Sequence, residues 1–313
     1  MTKALFREDA YLKSCEATIV AVNDRGGIVV DQTVFYPTGG GQPGDRGSMT
    51  CADGRDIAIA TTVKGETPDE VVHVPAEGQE PPAVGETVTL TIDWDQRHRL
   101  MRMHTALHIL SAVLPYPVTG GQVSDGKGRL DFDLPEATLD KEEITDKLNE
   151  IIGGGHAVAG RWISDDQLAA NPDLVKTMSV KPPMGAGQVR LIEVDGQDLQ
   201  PCGGTHVANT AEIGAVFVRK IEKKGRQNRR VNIAFQEQEQ REPVKGRKKR
   251  KPQQATAKPA AGLVELQRIV VSGETPPVFH GRIVSVHHDW DFVIIDLGWD
   301  AVKVGDTVSI TRD

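Results

Sequence analysis

Four residues of this chain have the types and spacing of a metal site. His104 and His108 stand four apart in HTALHIL, and Cys202 and His206 stand four apart in CGGTHV, about ninety residues further on. At 3.6 residues per helical turn, positions i and i+4 share a face, so two histidines at that spacing can turn both imidazoles to one point. A Cys and a His around Gly203 and Gly204 can close the site from the other side, the glycines allowing tight backbone approach. Thiolate and imidazole together favour zinc, which takes about four such ligands in a tetrahedron. The four residues therefore predict a zinc site, either a staple saturated by protein ligands or a centre that takes part in a reaction.

Such a site needs rigid elements on both sides. In WDQRHRLMRMHTALHILSAVL, apolar residues recur at Leu100, Met103, Leu107, Leu110 and Val113, spacings of three and four that predict an amphipathic helix carrying both histidines. A second helix is expected over about 139–152, with Thr138 as N-cap and Ile144, Leu148 and Ile151 on its buried stripe. GRLDFDL, AVAGRWI, VRLIEVDG and GAVFVRKIEKKG read as strands. Before the first helix, ATIVAVND, GGIVVDQTVFYPTGG, DIAIATTV, DEVVHV and ETVTLTID are short β-branched runs broken by turn residues, the pattern of a small antiparallel barrel or sandwich.

The 313 residues exceed what one core usually organises, at ~100–200 residues per domain. The expected fold class is α+β, in four parts: a β-barrel-like domain at 1–95, a zinc-binding domain of helices on an antiparallel sheet at 96–235, a basic linker at 236–262, and a small β module of unassigned role at 263–313. The linker holds REPVKGRKKRKP, a run suited equally to a solvated spacer or a tether to RNA.

A net charge of −7 argues against a protein that coats nucleic acid without specificity. It leaves room for local basic patches, and Arg219, Lys220, Lys223, Lys224, Arg226, Arg229 and Arg230 cluster near the end of the α+β unit. Cys15, Cys51 and Cys202 form no disulfide framework, which fits a reducing compartment. The first residues lack a signal-peptide pattern and no run reaches ~18 apolar residues, so a soluble cytoplasmic protein is expected, with no membrane partner. Oligomeric state is open, and a homo-oligomer is compatible with the composition.

FYPTGGGQPGDRG, residues 35–47, is rich enough in glycine to expose backbone N–H groups to phosphate or carbonyl oxygens. It lacks the Lys-Ser/Thr of a nucleotide-binding loop and precedes no predicted helix, so a wide turn between strands is the simpler outcome. Together, DQTVFYPTGGGQPGDRG, HTALHIL, CGGTHV and EIGAVFVRKIEKKGRQNRRV resemble the editing domain of alanyl-tRNA synthetase and its free-standing relatives, the alanyl-tRNA editing proteins. The resemblance covers about residues 1–235, takes in the N-terminal β portion of the longer free-standing form, and excludes everything after 236.

The resemblance implies hydrolysis of the ester that joins a wrong amino acid, chiefly serine and sometimes glycine, to tRNA for alanine, with Zn2+ held by His104, His108, Cys202 and His206. It also implies Thr33 and Gln42 as substrate-pocket residues. A hydroxyl and a carboxamide can hydrogen-bond a seryl hydroxyl, and a pocket built to do so discriminates better than one measuring size. With a tRNA partner, Arg219, Lys220, Lys223, Lys224, Arg229 and Arg230 become candidate contacts to the acceptor stem. Two alternatives stand beside this: a deacylase for another mischarged tRNA, and a zinc-stabilised RNA-binding module without catalysis.

Overall fold

A computed structural model describes residues 2–67, 69–134, 139–176 and 187–236, and five strands beyond them. The chain divides into two units, Met1–Pro243 and Val244–Asp313.

The first unit opens with β1 (Lys3–Ala4), β2 (Ser14–Val22), β3 (Ile28–Val30) and β4 (Gln32–Thr33), followed by β5 (Gly47–Cys51), β6 (Asp56–Lys64), β7 (Val71–Pro75) and β8 (Thr87–Ile92). Six of these close a barrel in the order β2-β3-β7-β6-β5-β8, while β1 and β4 pair in parallel beside it. Alternation puts Ala17, Ile19, Met49, Ile57, Ile59, Val88, Leu90 and Ile92 inside. Closure removes the sheet edges that a five-residue strand such as β5 would otherwise expose. GSMTC, the sequence of β5, has too few β-branched residues to announce itself, yet its pairing with β6 and β8 completes the barrel. Cys51 lies in this core and Cys15 packs against it.

Helix α1 (Trp94–Val113) follows at once. Asp93 caps it by accepting from the Gln96 N–H, and the chain leaves helical geometry at Leu114, the residue before Pro115, where the proline ring disfavours α. Arg97, Arg99 and Arg102 lie within α1. The expected single apolar stripe is also too narrow: Leu100, Met101, Met103, Ala106, Leu107, Ile109 and Leu110 are all buried, so α1 is enclosed on most of its circumference. Fully burying one such side chain contributes about 1.5–3 kcal/mol, and α1 is accordingly the spine of the core.

Around α1 stand β9 (Val118–Ser124), β10 (Lys127–Asp133), α2 (Lys141–Gly153), β11 (Val158–Ser164), α3 (Asp165–Ala169), β12 (Gln188–Val194), β13 (Asp198–Pro201), β14 (Val216–Lys224) and β15 (Asn228–Phe235). They form an antiparallel sheet in the order β14-β15-β10-β9, which packs on α1 and α2, and a second antiparallel sheet β11-β12-β13. Asp140 caps α2 by accepting from the Glu143 N–H; Thr138 lies outside the described residues. Ile144, Leu148 and Ile152 fill the stripe, with Ile151 only partly buried. None of the described helices is long and apolar enough to cross a membrane.

The second unit contains β16 (Ile269–Val271), β17 (Val278–Phe279), β18 (Arg282–His287), β19 (Phe292–Asp296) and β20 (Val308–Ile310), arranged as a sheet β17-β16-β20 and a hairpin β18-β19. The basic run at 241–251 lies outside the described residues.

Candidate metal centre

The α1 spacing brings His104 and His108 to one face, and the loop after β13 carries Cys202 and His206 onto it, so that one ligand atom from each lies within 4.8 Å of all the others. Cys202 Sγ is 3.5 Å from His104 Nε2 and 3.3 Å from His206 Nε2. Separations of about 3.5 Å are the edges of a tetrahedron with Zn–S near ~2.3 Å and Zn–N near ~2.0 Å, so the donor set fits zinc in size as well as chemistry.

The outward nitrogen of each histidine is held by a different partner. His104 Nδ1–H donates to Gln42 Oε1 at 2.7 Å, Thr105 Oγ1 lies 3.1 Å from His206 Nδ1, and Asp198 Oδ2 lies 3.3 Å from His108 Nδ1, an ion-pair contact without good hydrogen-bond alignment. Outer partners of this kind fix the ring and tautomer and leave Nε2 to face inward. Asp198 is itself held by Lys176 Nζ and by Gln200 Nε2 at 2.7 Å, and Gln200 also donates to Ser111 Oγ at 3.0 Å. Gly204 is a glycine for a reason of space: a Cβ there would stand 2.3 Å from His104 Cε1 and 3.0 Å from Gln42 Oε1. A Cβ at Gly203 would meet nothing within 4 Å, so of the two glycines only Gly204 makes the close approach.

The charges are strongly coupled. Burial works against the Cys202 thiolate, but three surrounding imidazoles overcome it and hold the thiol well below its ordinary range. Burial likewise opposes charge on His108, while Cys202 and Asp198 outweigh it and raise the imidazole to about 9. Burial, joined by the neighbouring imidazoles, pushes His206 well down. One anion faced by three imidazoles, two of whose inward nitrogens lie within 3.5 Å of its sulfur, is a set organised for a cation at its centre.

A family model described as "Threonyl and Alanyl tRNA synthetase second additional domain" matches residues 189–232, from β12 through Cys202 and His206 into β15. A second, "tRNA synthetases class II (A)", matches residues 5–96, the barrel and the start of α1. The alanyl-tRNA editing protein AlaX-M of Methanosarcina mazei is 36% identical over 250 residues, covering 76% of this chain and 98% of the relative. The chain belongs to the alanyl-tRNA editing protein family. The AlaX-M of Pyrococcus horikoshii is 36% identical over 241 residues, 74% of this chain and 97% of the relative. The alanine–tRNA ligase of Pyrobaculum neutrophilum is 34% identical over 235 residues, only 25% of that longer protein.

The remaining residues singled out from the sequence have distinct placements in this family member. Gln42 is buried at the centre, its Nε2 donating to Thr205 Oγ1 at 2.8 Å while Oε1 takes the His104 proton. Thr33 is buried in the barrel region, accepting from the Phe35 N–H at 3.0 Å and lying 2.8 Å from His73 Nε2. Because His73 Nδ1–H donates to the Ile28 carbonyl at 3.1 Å, Nε2 is the acceptor and the Thr33 hydroxyl points its proton there. The glycine loop is closed on itself, with Gly39 and Gln42 exchanging backbone hydrogen bonds of 3.0 Å, and is pinned to β9 by Val123 N–H donating to the Gly41 carbonyl.

The basic residues of the β14–β15 hairpin do not form one patch. Arg229 and Lys223 are cross-strand partners, as are Arg230 and Glu222, so Arg229 and Arg230 point to opposite faces. Arg230 is engaged by both oxygens of Asp131, Lys220 pairs with Glu222, Lys224 approaches the same carboxylate at 3.9 Å, and Arg229 is buried; Arg219, Lys220 and Lys223 are exposed. Asp198, Gln200, Thr105 and Arg190 went unnoticed in the sequence. The alternation of Asp198 and Gln200 two residues before Cys202 was the available signal, since i and i+2 on a strand share a face.

Proposed function

We propose that this protein is a zinc-dependent aminoacyl-tRNA deacylase that acts in trans in the cytoplasm, with serine on tRNA for alanine as principal substrate and glycine on the same tRNA as a secondary one. The observation that carries it is the convergence of three outer-tethered histidines and Cys202 in a chain that aligns with 98% of a free-standing alanyl-tRNA editing protein. Bound zinc would supply Lewis-acid polarisation of a carbonyl or a more acidic water. In the reaction, water adds to the ester carbonyl carbon, the C–O bond to the ribose breaks, and the products are the free amino acid and the tRNA 3′ end.

The protein's own part is positional. Gln42, Thr105 and Asp198 hold the imidazoles, and burial of the cluster keeps bulk water from competing. Cys202 serves as a ligand and not as a nucleophile, since its thiolate is enclosed by imidazoles. The substrate-pocket roles of Thr33 and Gln42 take a narrower form: Gln42 acts on His104 and retains one N–H of its carboxamide for substrate, while Thr33 retains one acceptor lone pair. A lone pair without a proton selects a donor, and a seryl hydroxyl is one where an alanyl methyl is not. Contact with the acceptor stem falls to Arg219, Lys220 and Lys223, with Lys224, Arg229 and Arg230 helping to hold the hairpin.

The test is single-turnover release of serine from Ser-tRNA for alanine, beside Ala-tRNA, before and after chelation, with circular dichroism to follow the fold. Serine is released and alanine spared, and a chelated protein that stays folded has lost activity. Binding of both charged tRNAs with hydrolysis of neither would replace the enzyme with an RNA-binding module.

A further inference from the structure

One face of the β11-β12-β13 sheet carries the support of the metal centre and continues past it to the sheet edge. On β13 it holds Asp198 and Gln200, which reach His108 and Ser111. Val194 and Ile192 lie opposite these two residues on β12, so they share that face, and Arg190 lies two residues beyond Ile192 on the same side. Across β11, Ile192 pairs with Gly160 and Arg190 with Trp162, which extends the face to the outermost strand.

At that edge its character changes. Trp162 is 48% exposed, a large aromatic with no core to enter. Arg190 Nη1 donates to the carbonyls of Gly204 at 2.8 Å and Cys202 at 3.2 Å, which fixes it to the metal-bearing loop, while its Nε is buried without a hydrogen-bond partner. Its side chain crosses Gly160, where a Cβ would stand 3.2 Å from both Nε and Nη2, so the missing side chain makes room for a guanidinium whose cross-strand partner is Trp162. Arg7, from the N-terminal segment, is close enough to act on Arg190 and on Tyr36 by its charge. Among the described residues no carboxylate forms an ion pair with Arg190 or Arg7, in contrast to Arg129 of β10 and Arg230 of β15, which both pair with Asp131. Two guanidiniums without a carboxylate partner, close enough to act on each other by charge, and an exposed indole across the strand pair from one of them match a polyanion whose bases are unstacked.

We infer that Trp162 and Arg190, with Arg7 nearby, form a shelf for the single-stranded 3′ end of an RNA, the indole stacking on an unpaired base and the guanidiniums facing its phosphates. This rests on the tRNA reading above and assigns the contact that leads the esterified end to the metal centre. Duplex RNA presents no free base face, so the shelf distinguishes the unpaired end from the stem.

Full-length protein would be titrated by fluorescence anisotropy with two uncharged hairpin RNAs of identical stem, one ending in an unpaired 3′ ACCA and one blunt. Wild type binds the overhang hairpin more tightly. Trp162→Ala loses about tenfold in affinity for it, as expected for one base–aromatic stack, and binds the blunt hairpin as before, while Trp162→Phe stays within about twofold of wild type. Equal affinity of Trp162→Ala and wild type for the overhang, an equal loss on both hairpins, or a wild type indifferent to the overhang overturns the shelf. A wild type that binds neither hairpin and releases no serine from Ser-tRNA removes the tRNA reading itself; a wild type that releases serine while Trp162→Ala binds like it removes the shelf alone.

Discussion

Helix α1 carries two buried polar clusters less than three turns apart, and they are built on opposite plans. At its first turns, Arg97 engages Asp45 through Nε at 3.0 Å and also through Nη2, while Nη1 donates to the Ala10 carbonyl at 3.0 Å and Nη2 to that of Val34 at 2.6 Å. All three nitrogens of the guanidinium are used and the charge is matched by one carboxylate, so the cluster is closed. It fastens the N-terminal segment, the glycine loop and α1 together. Further along, Gln42 and Asp198 hold the outer nitrogens of His104 and His108, and the inner nitrogens converge with Cys202 and His206 on a shared point. A buried polar group whose valences are all met belongs to the fold, while several aimed at one point make a site.

The largest effect expected from breaking this contrast is at the closed cluster. Arg97→Met leaves the Asp45 carboxylate buried without its counter-charge, at about 3–5 kcal/mol, read as a lower urea midpoint with an unchanged slope. If Arg97 were only a solvated charge, the midpoint would scarcely move.

A somewhat smaller effect concerns His73, which burial pushes down to about 4. The folded state holds this imidazole neutral, whereas the unfolded chain takes up a proton near pH ~6.5. Its contribution is therefore fully present above pH ~6.5 and is lost as pH falls towards 4, a difference of about 3 kcal/mol. Urea unfolding of wild type and His73→Leu between pH 7 and 4 isolates it: the variant lacks this part of the acid loss, and parallel curves would refute the assignment.

Smaller again is the effect of loosening the open cluster without removing a ligand. Asp198→Asn and Gln42→Leu each weaken zinc binding about 10- to 100-fold, measured by competition with a chromophoric chelator, while the urea midpoint of Asp198→Asn shifts less than that of Arg97→Met. Zinc affinity equal to wild type in both variants would show that the outer partners do not hold the imidazoles.

The open cluster was the more legible of the two from sequence. His-x3-His and Cys-x3-His are local patterns, and the helix and turn that carry them follow from apolar spacing and glycine, so the four ligands could be read without tertiary information. Arg97 could not, because among Arg99 and Arg102 nothing local distinguishes the one arginine whose partner lies 52 positions away. Asp198 and Arg190 depend in the same way on the register of β12 against its neighbours. The barrel was legible in its β-branched strands and hidden at β5, whose strand character comes from pairing on both sides. Alternation also explains the hairpin: seven basic residues look like one patch in sequence, and a strand period of two separates Arg229 from Arg230.

The most direct measurement of the central claim is cobalt substitution of the metal-free protein, followed by absorption spectroscopy. Four protein ligands including a thiolate predict one Co2+ per chain, the strong visible bands of a tetrahedral ion and a sulfur-to-metal charge-transfer band that disappears in Cys202→Ser. Failure of the folded protein to take up cobalt, or a spectrum that Cys202→Ser leaves unchanged, would contradict the account.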